Sequence, residues 1–139
     1  MARRSPRVRM PLILVADDSV ETQELYAEYF KTCGFNVDVA SDGREALRKA
    51  RTRRPDIIVM DLQMPHLDGW GAINELRSRP DTAVIPVIVL TGHDFKHELK
   101  PAALAAGACS FVTKPVIPDH LLREIQMRLA QQARPPASA

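Results

Sequence analysis

Short apolar runs alternate with amphipathic segments along the whole chain. Each run has four to six residues and is rich in valine, isoleucine, leucine or phenylalanine, which is typical of buried β-strands. Five such runs are present: Leu12–Ala16, Phe35–Ala40, Ile57–Met60, Val87–Leu90 and Cys109–Thr113. Pro86 lacks an N–H group, so we expect the fourth strand to begin at Pro86 or Val87.

The segments between the runs carry apolar residues three and four positions apart, which predicts helices. We expect Ser19 to cap the first helix and Gly34 to end it. Its predicted apolar face comprises Val20, Leu25, Tyr26, Tyr29 and Phe30. Further helices are predicted at about 44–53, 70–78, 101–106 and from Pro118 onwards.

Regular alternation of strands and helices predicts an α/β fold with a doubly wound, five-stranded parallel sheet and helices on both faces. The first, third and fourth runs are almost wholly apolar, as expected of strands covered on both faces. The second run contains Asp38, which favours an edge position.

Four of the predicted strands are followed by residues suited to phosphoryl chemistry. Asp17 and Asp18 follow the first strand, Asp61 the third, Thr91 the fourth and Lys114 the fifth. The carboxyl ends of parallel strands share one edge of the sheet, and open α/β sheets bind ligands there. The sequence therefore predicts that these side chains meet in one crevice.

Three neighbouring carboxylates raise one another's pKa unless a cation lies among them. Oxygen ligands of this kind favour Mg²⁺, which would also neutralise charge on a phosphoryl group. Asp61 is the lone acid at its strand end and the better candidate nucleophile, giving an aspartyl phosphate. Lys114 would pair with that group, and Thr91 would donate its hydroxyl. Taken alone, Asp18 could instead be a helix cap and Asp61 a turn residue.

Composition is that of a single globular domain. The 139 residues are 45% hydrophobic and 26% charged, and no apolar stretch approaches the roughly 20 residues that span a bilayer. No signal peptide is apparent, so we expect a cytoplasmic protein without a membrane partner. Cys33 and Cys109 are interpreted as small buried apolar residues.

Charge is distributed unevenly along the chain. Residues 1–10 carry four arginines and no acid, and the rest has 15 basic against 17 acidic residues. We interpret residues 1–10 as a flexible basic arm, and we expect no direct DNA binding by the globular body.

Four motifs in fixed order resemble the receiver domain of two-component response regulators. The motifs are Val15–Ser19, Asp61–Gly69, Leu90–Gly92 and the pair formed by Ala106–Ala108 and Phe111–Pro115. The similarity extends from about Pro11 to Ala130. It implies the flavodoxin-like strand order 2-1-3-4-5 and a receiver domain at 11–131, with a flexible tail at 132–139.

The same resemblance implies particular site residues. Mg²⁺ would be bound by Asp17, Asp18, Asp61 and the backbone carbonyl of Gln63. Asp61 would accept a phosphoryl group from the phosphohistidine of a sensor kinase or a histidine phosphotransfer protein. The protein would catalyse only its own phosphorylation and dephosphorylation, and would not be an enzyme with an external substrate.

The resemblance further implies a conformational switch. Thr91 would move toward the phosphoryl group and Phe111 would turn inward, while the Lys114–Pro115 peptide would be cis. A downstream protein would bind the face formed by the fourth helix, fifth strand and fifth helix. Few residues follow the domain, so we expect a single-domain regulator, monomeric or weakly dimeric.

Gln63 and His93 each lie two residues beyond a site residue. We hypothesise that both flank the path of water to the acyl phosphate and so tune its lifetime.

Rival functions fit the sequence less well. An aspartate-nucleophile phosphohydrolase of the haloacid dehalogenase type needs a second Asp two positions after the first, where this chain has Ser19. A flavodoxin-like electron carrier would bind a phosphate where Asp17 and Asp18 repel it. A receiver that is a non-phosphorylated binding module would not need the complete acidic set, Thr91 and Lys114.

Overall fold

The computed structural model describes residues 10–92, 99–114 and 116–133. Its five strands are β1 (Leu12–Ala16), β2 (Asn36–Ala40), β3 (Ile57–Asp61), β4 (Val87–Thr91) and β5 (Ser110–Thr113). Its five helices are α1 (Val20–Thr32), α2 (Gly43–Arg53), α3 (Gly69–Ser78), α4 (Leu99–Ala106) and α5 (Pro118–Ala133). None of these helices is both long and apolar enough to span a membrane.

All strands are parallel and follow the order β2-β1-β3-β4-β5, which confirms the predicted topology. Every residue of β1, β3 and β4 is buried. The predicted edge strand is β2, and its Asp38 carboxylate pairs with Lys49 at 3.0 Å and with Arg53 at 2.7 Å. The acidic residue in this strand is therefore neutralised by α2.

Successive strand residues point to opposite faces of the sheet, which divides the core in two. Leu14 and Ala16 of β1 belong to the core covered by α2, α3 and α4. Ile13 and Val15 belong to the core covered by α1 and α5. The helices on both faces bury the sheet, so its functional chemistry is confined to the strand ends.

Three helices begin at a side-chain cap that satisfies an otherwise unpaired N–H. Ser19 accepts from the Thr22 N–H at the start of α1, as predicted. Asp42 accepts from the Glu45 N–H, and Asp68 accepts from the Gly71 N–H. These caps fix the loops that follow β1, β2 and β3.

The predicted apolar face of α1 is wrong in part. Val20 is 59% exposed and Leu25 is 57% exposed, whereas the buried positions are Gln23, Tyr26 and Phe30. Those three residues lie three and four positions apart and define the helix face turned to the sheet. The buried face of α1 therefore includes the polar Gln23 and excludes Val20 and Leu25, which the hydrophobic pattern had predicted to be buried.

Two smaller predictions also differ from the structure. Cys33 is the C-cap of α1 and is exposed, and Cys109 is only half-buried. Helix α4 begins at Leu99, before Pro101. Proline is tolerated there because the first helical N–H groups have no partner within the helix. Remaining element boundaries lie within one residue of their predicted positions.

Close packing of two loops leads to a stability prediction for Gly43. Its N–H donates to the Leu67 carbonyl at 2.8 Å, and a Cβ on Gly43 would lie 2.1 Å from that oxygen. We expect Gly43→Ala to lower the free energy of unfolding in urea by roughly 1–3 kcal/mol, since the backbone must shift. Gly92→Ala is the control because its Cβ would meet only ordinary contacts at 3.7 Å. Equal stability of the two variants would contradict the expectation.

Candidate phosphoryl and metal site

The carboxyl ends of four strands bring five of the predicted residues to one edge of the sheet. Asp17 and Asp18 follow β1, Asp61 and Thr91 are the last residues of β3 and β4, and Lys114 follows β5. The strands are in register at this edge, because Thr91 lies opposite Thr113. The Lys114 N–H also donates to the Thr91 carbonyl at 2.8 Å, which extends that alignment beyond β5.

Three carboxylates form the centre of the site. One oxygen from each of Asp17, Asp18 and Asp61 lies within 4.8 Å of the others. Asp17 and Asp61 are buried and Asp18 is exposed. The Ser19 N–H donates to Oδ1 of Asp17 at 2.9 Å, and the Gln63 N–H donates to Oδ1 of Asp61 at 3.0 Å. Backbone donors therefore fix one oxygen of each buried carboxylate.

The second oxygens of the two buried carboxylates face Lys114. Its Nζ lies 2.8 Å from Oδ2 of Asp17 and 3.2 Å from Oδ2 of Asp61. Burial alone would lower the pKa of Lys114, but the two carboxylates outweigh burial and raise it. The side chain is therefore a fixed ammonium group at neutral pH.

For Asp61, burial outweighs the groups that stabilise its charged form. Burial raises the pKa of Asp61 above its ordinary value, and the Gln63 N–H and Lys114 oppose this without cancelling it. The nearby Asp17 carboxylate adds to the rise. Desolvation of Asp61 therefore exceeds the compensation that the protein itself provides.

The donor set fits a hard divalent cation. Three carboxylates and one ammonium leave two negative charges uncompensated when all groups are ionised. An ion such as Mg²⁺ binds through a few carboxylates and keeps several waters, which suits a cluster with one solvent-exposed member. Asp17, Asp18 and Asp61 can therefore serve as its side-chain ligands.

The remaining predicted residues lie near this edge. Asp18, Gln63 and Thr91 line a cleft of about 570 Å³ together with Trp70. Thr91 is buried, whereas Phe111 is half-buried and packs against the core on the α2–α4 side. His93 and Pro115 lie outside the described residues.

Gln23 is a site residue that the sequence analysis did not identify. Its buried amide donates to the carbonyls of Asp17 at 2.5 Å and Ala40 at 3.2 Å, and to the Ser41 hydroxyl at 3.1 Å. It thereby joins the loop after β1 to the loop after β2. Its spacing to Tyr26 and Phe30 was the available signal, because all three share a helix face.

These features define a doubly wound α/β protein with an acidic sheet edge whose carboxylates can hold a cation. The family model of the response regulator receiver domain matches residues 13–126, and the chain belongs to this family.

Two curated relatives are longer than this chain. Response regulator MprA from Mycolicibacterium vanbaalenii is 39% identical over 86% of this chain and 51% of its own length. The alkaline phosphatase synthesis transcriptional regulatory protein PhoP from Bacillus subtilis is 38% identical over 84% of this chain and 46% of its own. The chain thus spans about half the length of these relatives.

A solved structure shows the same fold. The receiver domain of sensor histidine kinase PA1611 from Pseudomonas aeruginosa PAO1 has a TM-score of 0.80 and 29% identity. The match covers 88% of this chain and 99% of that one. Its structure holds a magnesium ion in the active site cleft.

The raised pKa of Asp61 predicts that Asp61→Asn increases the free energy of unfolding in metal-free buffer, by an amount that depends on pH. An acid whose pKa is raised by folding contributes stability that is present below its ordinary value of 3.8 and is lost as pH rises through the raised pKa. The neutral variant avoids that loss, so it should unfold at higher urea than the wild type at neutral pH. The difference should shrink on acidification below 3.8.

Asp68→Asn is the matched control for that titration. Asp68 is exposed, and asparagine caps a helix as well as aspartate does. If Asp61→Asn were no more stable than the wild type at neutral pH in the presence of EDTA, the proposed charge imbalance would be wrong.

Proposed function

We propose that Asp61 accepts the phosphoryl group of a phosphohistidine in a Mg²⁺-dependent reaction, and that phosphorylation changes partner binding. The donor would be a sensor histidine kinase or a histidine phosphotransfer protein. The observation that carries this proposal is the Asp61 carboxylate, which lies 3.2 Å from the Lys114 ammonium within a cluster of three carboxylates.

The transfer is a displacement at phosphorus. A carboxylate oxygen of Asp61 forms the new O–P bond while the P–N bond to the donor imidazole breaks. The imidazole keeps that electron pair and leaves as the neutral ring, with a proton on one of its two nitrogens. Lys114 pairs with the arriving phosphoryl oxygens and Thr91 donates its hydroxyl to one of them. Burial of Asp61 keeps bulk water from competing for these groups.

Asp17, Asp18, Asp61 and the backbone carbonyl of Gln63 would hold the cation. When bound, Mg²⁺ supplies positive charge that neutralises the carboxylates and the phosphoryl oxygens. The uncompensated charge at this edge supports that assignment.

Thr91 and Phe111 would carry the switch to the partner surface. Thr91 is the last residue of β4, and Phe111 lies on the adjacent β5. Movement of Thr91 toward the phosphoryl group would leave space into which Phe111 turns. The Lys114–Pro115 peptide would be cis, and the downstream protein would bind the face of α4, β5 and α5.

We also propose a location and an oligomeric state for the protein. It would act in the cytoplasm as a monomer or weak dimer, with a basic arm at residues 1–10. The predicted tail at 132–139 is wrong at its start, because α5 extends to Ala133. The protein would turn over no external substrate. The expectation of no direct DNA binding is not confirmed, because the Bacillus subtilis relative is named as a transcriptional regulatory protein.

Phosphorylation can be tested by intact mass measurement. Incubation with acetyl phosphate and Mg²⁺ should add one phosphoryl group to the wild type and none to Asp61→Asn, because the variant lacks the proposed nucleophile. Asp17 also lies beside Lys114, but we expect it to remain a ligand of the cation. EDTA should abolish the gain, and Asp18→Asn should reduce it more than tenfold by weakening the cation site.

Asp68→Asn is again the matched control, since Asp68 lines the same cleft but caps α3. It should be phosphorylated as the wild type is. A wild type that gains no mass would favour a non-phosphorylated binding module, and turnover of phosphomonoesters would favour a phosphohydrolase.

The lifetime of the phosphorylated form provides a separate prediction. The exposed Gln63 side chain lies at the cleft, which supports its proposed place on the path of water. Gln63→Ala and His93→Ala should each change the dephosphorylation half-time severalfold. The half-time is followed by intact mass after removal of the donor. His66→Ala, an exposed loop change, is the control. Unchanged half-times in both test variants would remove the idea.

A further inference from the structure

Helix α1 displays an acidic stripe that faces away from the protein. Glu21, Glu24, Leu25 and Glu28 are spaced i, i+3, i+4 and i+7, so they lie on one helix face. All four are exposed, and Leu25 keeps 57% of its surface. No ion pair in the described part of the chain involves these glutamates. Three carboxylates therefore surround one exposed leucine without a cationic partner.

Helix α2 displays a basic stripe with the same spacing. It consists of Arg44, Leu47, Arg48 and Arg51, and the three arginines are exposed. The other basic residues of this helix are Lys49 and Arg53, and both form ion pairs with Asp38. Among residues 10–92, 99–114 and 116–133, no ion pair engages the three arginines of the stripe. The stripe lines a groove of about 700 Å³ between α2 and α3.

We propose that the acidic stripe of one copy of this chain docks on the basic stripe of a second copy. With the two helices antiparallel, every position of one stripe meets a complementary position of the other. The four pairs are Glu21 with Arg51, Glu24 with Arg48, Leu25 with Leu47 and Glu28 with Arg44. The antiparallel arrangement also sets the N-terminus of α1 beside the C-terminus of α2, where their dipoles attract.

The contact has to form between molecules. Helix α1 packs on the sheet face to which Ile13 and Val15 point, whereas α2 packs on the face to which Leu14 and Ala16 point. The two stripes therefore lie on opposite sides of the domain. Each copy uses one stripe for each neighbour, so the association is head-to-tail and continues beyond two copies, as a ring or as an open chain.

The expected association is weak. The paired segments are eight residues long, which is about 12 Å of helix, and such a contact falls below the area of stable interfaces. Exposed ion pairs contribute little and are screened by salt. Glu75 on α3 and Asp81 after α3 also line the groove, and their carboxylates repel the acidic stripe and favour a position over α2. Assembly should therefore need high protein concentration and low ionic strength.

Sedimentation velocity over a concentration series at low ionic strength tests the proposal. One variant lacks the acidic stripe (Glu21→Gln, Glu24→Gln and Glu28→Gln), and another lacks the basic stripe (Arg44→Gln, Arg48→Gln and Arg51→Gln). The average mass of the wild type should rise with concentration, and added salt should reverse this. Each variant alone should stay monomeric.

An equimolar mixture of the two variants separates this model from general charge effects. Only one functional contact remains in the mixture, between the intact acidic stripe of one variant and the intact basic stripe of the other. The mixture should therefore form dimers and nothing larger. Circular dichroism of each variant checks the fold, which exposed substitutions should leave unchanged.

The matched control removes three positive charges elsewhere, through Lys100→Gln, Arg123→Gln and Arg128→Gln. It should assemble as the wild type does. A wild type that is monomeric at every concentration and salt would overturn the proposal. So would assembly of either stripe variant alone, or a mixture that sediments as separate monomers.

Discussion

The rest of the site depends on one ammonium group held between two buried carboxylates. Lys114 follows the edge strand β5, and its side chain reaches across β4 to the ends of β1 and β3. Three strand ends are thereby tied at one point, and the carboxylates of Asp17 and Asp61 are kept close despite their repulsion. The fold supplies the necessary alignment, because parallel strands bring all their carboxyl ends to the same edge.

That arrangement leaves one positive charge against three negative ones. The protein reduces the repulsion with backbone donors to Asp17 and Asp61, but burial still raises the pKa of Asp61. A divalent cation would complete the balance and keep Asp61 ionised, which a nucleophilic carboxylate requires. The same excess of negative charge would therefore couple the proposed binding of a cation to the proposed phosphorylation of Asp61.

Much of this edge could be predicted from the sequence, because each apolar run ends at a charged or hydroxyl residue. The side of α1 that faces the sheet could not be predicted, because the hydrophobic pattern places Val20 and Leu25 toward the sheet, whereas the structure buries Gln23 there. Hydrophobicity alone does not predict a buried glutamine, because the burial of Gln23 depends on hydrogen bonds from its amide to three oxygen acceptors. Arg54 likewise ends α2 in the left-handed conformation, at φ 46°, without the glycine that usually marks such an end.

We expect the acidic edge to require a divalent cation, and the dependence of stability on Mg²⁺ concentration measures that requirement. The free energy of unfolding of the wild type should rise with Mg²⁺ concentration, by about 2.7 kcal/mol at roughly 100 times the Kd. Sodium chloride at matched ionic strength should not reproduce the rise, and Asp18→Asn should largely lose it. A wild type whose stability does not respond to Mg²⁺ would show that the acidic edge does not bind this cation.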